Sequence, residues 1–367
     1  MIKRPPVTKI VQSLEPTVPF IAPEALERRS GRRIKLRLGA NESVFGISPR
    51  AREAMLEAMN RVAWYCDPES YELRSALARI HKVEMQNVVV GSGIDDLLGL
   101  IVRTFVSPGD AVVTSLGAYP TFNYHVLGYG GNLHRVPYRN DRNDLRALAD
   151  AAKRLRASVV YLANPDNPTG TWHTAADIRA FIEELPMTCL LALDEAYVEF
   201  MPGEDYLPVD VGDPHVIRLR TFSKAHGLAG ARIGYAIAEA ETIAAFDKVR
   251  LHFGVNLIAQ SGALASLGDE DFLGQVVDAV AQGRREYEEL ARELGLSFLP
   301  SATNFVAIDV GGPERARQLV DKLFDQGTFV RMPGVPPLDR CIRVTVGLPE
   351  ERRAFADVLR ETIRLVQ

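Results

Sequence analysis

Short apolar runs and polar turns alternate regularly through the first two thirds of the chain. Short, largely apolar runs at 88–90, 111–114, 133–136, 159–162, 190–193, 216–219 and 233–237 are too short for helices and read as strands. Helical periodicity falls between several of them, over 94–105, 144–155 and 175–185. Unbroken apolar strands joined by helices predict a largely parallel sheet covered on both faces. Ahead of this pattern, residues 1–35 contain several prolines and show little periodicity apart from a short helix near 23–29. A brief strand at 36–38, helices at 51–58 and 71–80, and a turn over 64–68 follow. After about residue 250 the beat changes to two long helical stretches, short strands at 305–308, 328–331 and 342–346, and a final helix at 350–365. The resulting expectation is an arm (1–35), a large α/β domain (36–250) and a smaller α+β domain (251–367). No internal repeat or low-complexity segment interrupts the pattern.

Composition narrows the function. With 367 residues, 47% of them hydrophobic, the chain exceeds one ordinary core, which agrees with two domains. A net charge of -4 gives no sign of a nucleic-acid or anionic-membrane partner. Cys66, Cys189 and Cys341 are odd in number, far apart and without metal-ligand spacing, so they read as structural thiols of a reducing compartment. No apolar run is long enough for a signal peptide or a membrane span, and a cytoplasmic location is expected.

The chemistry gathers where the predicted strands end. After the 216–219 strand comes Arg220-Thr221-Phe222-Ser223-Lys224-Ala225-His226-Gly227-Leu228-Ala229-Gly230-Ala231-Arg232. A lysine among small residues is suited to lose its solvation, release its proton and attack a carbonyl. Ser223 and Arg232 offer a hydroxyl and a fixed cation for a phosphate. Aldehyde capture beside a phosphate grip describes a pyridoxal phosphate (PLP) site, whereas the plain alternative is a solvated lysine and an arginine in an ordinary ion pair. Gly91-Ser92-Gly93-Ile94-Asp95-Asp96 leads from a strand into a helix N-terminus, which favours an anion but is a common turn. Asn164-Pro165-Asp166-Asn167-Pro168-Thr169-Gly170 is stiff enough to hold the Asn167 amide still, or simply to cap the next helix. Asp194 closes an apolar strand and needs a cation or several hydrogen bonds; Tyr197 follows it by three residues. Phe122, in Tyr119-Pro120-Thr121-Phe122, is either core or a ring that stacks on a flat ligand.

In order, Asn167, Asp194, Tyr197, Ser223, Lys224 and Arg232 resemble the fold type I PLP-dependent aminotransferases, and most closely the histidinol-phosphate aminotransferase family. Leu38-Gly39-Ala40-Asn41-Glu42-Ser43, Trp64-Tyr65-Cys66-Asp67-Pro68, 193–200 and Cys341-Ile342-Arg343-Val344-Thr345-Val346-Gly347 extend the resemblance over residues 38–347. It implies the PLP-dependent transferase fold type I and an amino-group transfer between a small donor (histidinol phosphate or an amino acid) and a 2-oxoacid such as 2-oxoglutarate. By the same resemblance Lys224 binds the cofactor covalently and moves the substrate proton. Asp194 pairs with the pyridine nitrogen, Asn167 and Tyr197 bond the phenolic oxygen, and Phe122 stacks on the ring. Gly93, Ile94, Asp95, Ser223 and Arg232 hold the phosphate, while Asn41, Arg331 and Arg343 bind substrate. Tyr65 reaches the partner subunit's cofactor, which implies a homodimer with shared sites. Threonine-phosphate decarboxylases resemble the same pattern and are the alternative; a fold that only binds ranks below both because Lys224 is present.

Three replacements depart from the family's usual pattern: Thr17 for a tyrosine of the arm, Ser43-Val44-Phe45-Gly46 for Asn-Pro-Leu-Gly, and Phe122 for the stacking tyrosine. All three fall on the substrate side. They predict a more apolar pocket that takes some ordinary amino acid at least as well as histidinol phosphate.

Overall fold

Strands run through the chain as β1 (Leu36–Arg37), β2 (Val88–Gly91), β3 (Ala111–Ser115), β4 (Asn132–Val136), β5 (Val159–Ala163) and β6 (Leu190–Asp194). They continue as β7 (Val216–Thr221), β8 (Gly234–Ile237), β9 (Ser297–Phe298), β10 (Phe305–Asp309), β11 (Thr328–Phe329) and β12 (Cys341–Thr345). The computed structural model describes residues 4–16, 20–203 and 205–366.

The central layer is a seven-stranded sheet of order β2-β8-β7-β6-β5-β3-β4. Its interior strands β5 and β6 are buried at every position, as expected of strands covered on both faces. Pairing is parallel from β7 through β6, β5 and β3 to β4. β8 alone runs against its neighbours β7 and β2. One face packs on the helices Ile94–Phe105 and Pro120–Gly128 through Leu97, Ile101, Phe122 and Val126. The opposite face packs on Leu145–Leu155 and Ala175–Glu184.

A second core is built almost entirely from residues beyond 270. It joins β10 and β12 to the helices Glu270–Glu293, Pro313–Asp325 and Pro349–Arg364. β12, β10 and β9 form an antiparallel sheet. β1 pairs with β11, not with the seven-stranded sheet, and Leu38 is buried in this second core. Arg331 lies one bridge beyond β11, paired with Arg343 of β12. Among the described residues no helix is long and apolar enough to cross a membrane. Cys66, Cys189 and Cys341 are buried free thiols, and no cluster of potential metal ligands occurs among the described residues.

Candidate active site

The parallel register aligns Ala163 with Asp194 and Asp194 with Leu219. Strands β5, β6 and β7 therefore end nearly level, and the segments leaving them emerge side by side at the carboxyl edge, where α/β sheets bind ligands.

Asp194 ends β6 and is 5% exposed. One oxygen accepts the Tyr161 hydroxyl at 2.7 Å and the other the Ala196 N–H at 3.0 Å. Among the described residues no cation pairs with it, and burial pushes its carboxyl up to about 6. Glu195 beside it shows the contrast. Burial acts on Glu195 in the same direction, but Arg218 and Arg220 outweigh it and hold that carboxyl below the usual range. Asp194 is thus the buried acid whose counter-charge the chain does not supply.

Lys224 lies three residues past β7 and has no carboxylate partner among the described residues. Its Nζ donates to the Asn41 carbonyl at 3.0 Å and sits 5.5 Å from the centre of the Tyr197 ring. Asn41 is buried with φ of 54°, a left-handed conformation that asparagine tolerates better than most residues. Its carbonyl also accepts from Asn304 Nδ2 at 3.1 Å, and its own Nδ2 donates to the Tyr197 hydroxyl at 3.0 Å. Gly227 presses the lysine loop against the Asn41 loop: a Cβ there would stand 1.9 Å from the Gly46 carbonyl oxygen, at φ of +72°.

Cationic chemistry enters from β12. Arg343 donates to Asn167 Oδ1 at 2.6 Å and its Nε is buried with no partner. Burial pushes its guanidinium down to about 10, with Tyr197 opposing and Arg331 assisting. Among the described residues the Arg331 guanidinium donates to the Gly39 and Ile21 carbonyls, and it lies against the Phe20 and Phe329 rings. Among the described residues neither arginine pairs with a carboxylate, which leaves both cations suited to an anion. Asn167 turns its oxygen to Arg343, which leaves its NH2 free to donate elsewhere. The loop that carries it is locked by Asp166, whose carboxylate takes bonds from Thr169, Asn143 and Tyr138.

Gly93 precedes the helix Ile94–Phe105, whose first amides lack intrahelical acceptors. Its φ is +85°, and a Cβ would stand 2.6 Å from Arg232 Nη2. That guanidinium therefore lies directly over the helix N-terminus, ion-paired to Asp95 at 3.2 Å. The Gly93 N–H itself bonds Gly91, so the amides of Ile94 and Asp95 are the ones left for a phosphate, with Ser223 and Arg232.

Phe122 is placed beside Tyr161, the residue that donates to Asp194. Its side chain is fully buried and stacks on Tyr161, 4.7 Å away at 19°, within the core under the sheet. Tyr119, which the sequence does not single out, also lies near Asp95 and Tyr197. Burial, then the charge of Asp95, pushes the Tyr119 phenol up, and Tyr197 lies near enough to act on it as well. A readable signal existed: Pro120 opens the helix Pro120–Gly128, so Tyr119 is left in the loop while Phe122 enters the first turn and faces inward. Tyr161, Asn304 and Thr345 were also missed; nothing in their local sequence marks them. Tyr65 is 85% exposed and touches Phe253, and the single chain does not bring it into the cluster. Phe45 packs against the second core, beside Ser43, whose hydroxyl is buried without a partner. Thr17 lies outside the described residues.

Comparison with known proteins establishes the family. The family model described as aminotransferase class I and II matches residues 33–359. The histidinol-phosphate aminotransferase of Moorella thermoacetica is 35% identical over 98% of this chain and 93% of that protein. That of Anaeromyxobacter sp. is 38% identical over 95% of this chain and 96% of that protein. The crystal structure of histidinol-phosphate aminotransferase from Sinorhizobium meliloti, a complex with pyridoxal-5'-phosphate, is 49% identical, with a TM-score of 0.95 and 98% of each chain covered. A lysine and a stranded aspartate at one sheet edge, arginines reaching toward them from β12 and its neighbour, and a family match over nearly the whole length lead to one conclusion: the chain belongs to the aminotransferase class I and II family.

Proposed function

We propose that this chain is a PLP-dependent aminotransferase whose amino donor is histidinol phosphate and whose acceptor is a 2-oxoacid such as 2-oxoglutarate. The observation that carries the reading is an unbalanced charge set: Lys224 and Asp194 at the carboxyl edge of the large sheet and Arg343, which reaches Asn167 from β12, do not neutralise one another. A ligand with a cationic ring nitrogen, an aldehyde and a phosphate, joined in turn by an anionic substrate, satisfies all of them.

When bound, the cofactor supplies the aldehyde that captures an amine and a cationic ring that takes up electrons from a breaking C–H bond. Asp194, fixed by Tyr161 and the Ala196 amide, keeps the ring nitrogen protonated. Lys224 holds the cofactor and, once freed by the substrate amine, carries the proton at the substrate α-carbon. Tyr197 and the Asn167 amide donate to the phenolic oxygen. The amides of Ile94 and Asp95, Ser223 and Arg232 bind the phosphate. Tyr119, in the place expected for Phe122, covers the ring.

Arg343 and Arg331 bind the anionic ends of both substrates, and the bidentate fork suits a carboxylate or a phosphate. The donor assignment rests on these two cations and on the names carried by the relatives. The apolar-pocket expectation loses support, since Phe122 lies in the core and Phe45 packs against the second core. Tyr65 lies among the exposed Met59, Val62, Trp64, Leu251 and Phe253, a surface suited to a second copy of the chain. In that homodimer Tyr65 serves the partner's cofactor phosphate.

The test is kcat/KM for histidinol phosphate beside a panel of apolar and aromatic amino acids, with 2-oxoglutarate as acceptor. Preference for an amino acid would overturn the donor assignment. Release of CO2 from an amino acid of the panel, without a 2-oxoacid product, would overturn transamination in favour of decarboxylation.

A further inference from the structure

Thr345 closes β12 and is 1% exposed. Its backbone is clamped: its N–H donates to the Leu38 carbonyl at 2.7 Å, and its carbonyl accepts the Tyr287 hydroxyl at 3.2 Å. Its hydroxyl oxygen accepts the Asn41 backbone N–H at 3.1 Å and lies 3.3 Å from Asn41 Oδ1. A hydroxyl has one proton to give. With an N–H already approaching its oxygen, that proton is directed at Asn41 Oδ1.

The direction propagates. An Asn41 amide whose oxygen is held by Thr345 must present its NH2 on the other side, where the Tyr197 hydroxyl lies 3.0 Å away. An NH2 group only donates, so the Tyr197 oxygen is the acceptor of this bond. Its own proton is left for another acceptor. A flipped Asn41 amide would set its NH2 against a Thr345 oxygen that already takes the Asn41 N–H, and would leave the Thr345 proton without its Oδ1 acceptor. All the groups involved are buried, where a reversed or unpaired bond is most costly.

We propose that Thr345 is a positioning residue: through Asn41 it sets the polarity of the bond chain so that the Tyr197 hydroxyl always donates toward the cofactor's phenolic oxygen and never accepts from it. The proposal rests on the PLP reading above. A donor on that oxygen draws charge from it and weakens its hold on the neighbouring nitrogen's proton. Thr345 thereby keeps the lysine-bound cofactor acidic enough to exist unprotonated at neutral pH.

The test is a pH titration of the absorbance of the purified holoenzyme. Thr345→Val removes the hydroxyl at nearly constant shape; Thr345→Ser keeps it. The valine variant shifts the absorbance midpoint upward by about one pH unit, the scale of one hydrogen bond to a charged group, and the serine variant restores it. In a Tyr197→Phe background, Thr345→Val causes no further shift. Asn41→Asp, which exchanges the donor at Tyr197 for an acceptor, reproduces the upward shift and serves alone if the valine variant does not fold. Equal shifts for valine and serine, or an undiminished shift in the Tyr197→Phe background, or an unmoved midpoint in Asn41→Asp, would overturn the proposal. A wild-type protein that takes up no PLP would instead overturn the function on which it rests.

Discussion

Asp194→Asn keeps the shape of a side chain that is costly in one state of the protein and useful in another. Without cofactor the carboxyl is pushed from 3.8 up to about 6 by burial. That gap corresponds to roughly 3 kcal/mol. Because the folded-state value lies above the unfolded one, the stability linked to this group is full below about pH 3.8 and is lost as the pH rises through about 6. At pH 8 the cofactor-free wild type therefore bears the cost and asparagine does not. The gain is smaller than the full figure, since the amide sets an NH2 against either Tyr161 or the Ala196 N–H; on the Tyr161 side the hydroxyl can turn and accept. We expect cofactor-free Asp194→Asn to be more stable than wild type by about 1–2 kcal/mol at pH 8. Most of the difference should vanish at pH 5. Urea denaturation of both cofactor-free proteins at the two pH values measures it. With cofactor present the ranking reverses: the variant binds PLP more weakly and turns over about 10²-fold more slowly, the scale of one lost preorganised charge contact. A variant that is less stable than wild type at both pH values would refute the view of Asp194 as a stranded charge.

Lys224→Ala should abolish the borohydride-reducible link to PLP and turnover, and mixing it with Tyr65→Ala subunits should restore part of the activity through hybrid dimers; no recovery despite proven subunit exchange would refute shared sites. Arg343→Lys, which trades a fork for a point charge and leaves Asn167 Oδ1 without its donor, should lower kcat/KM by roughly 10²-fold for both substrates, measured as two separate half-reactions. Gly227→Ala should destabilise the protein by at least about 3 kcal/mol, because it meets a backbone carbonyl that has no room to yield and requires a left-handed φ; a thermal melt within a few degrees of wild type would contradict the packing described.

The large sheet was legible because its strands are short, β-branched and unbroken, and the structure extends most of them by only a residue or two. Helix Pro313–Asp325 was passed over although Ala316, Leu319 and Leu323 mark one face, since charged residues dominate its composition. Helix Pro120–Gly128 buries only Phe122 and Val126 and carries almost no amphipathic pattern, so periodicity does not announce it. Asp194, Lys224 and Arg343 were readable because each is a charge set against an apolar or small-residue background. Thr345 and Asn304 were not: they are ordinary strand-end residues whose importance lies in what they touch some 260 to 300 positions away. Separation of that kind leaves no local mark in a sequence.

The pairing of the segment around residue 38 with the end of β12 also sets the order of events during synthesis. The Leu38 carbonyl accepts from Thr345 and the Asn41 N–H donates to it, so the early strand and the loop that steadies Lys224 lack these partners until residue 345 has emerged. Closing a loop of that length is entropically expensive and slow compared with forming local helices. The seven strands between residues 88 and 237 can pair beforehand. A nascent chain would thus carry a nearly finished sheet with Lys224 already placed at its edge, yet with nothing holding the lysine's acceptor. Competence to react with an aldehyde then arrives abruptly, when the final strand closes over the first.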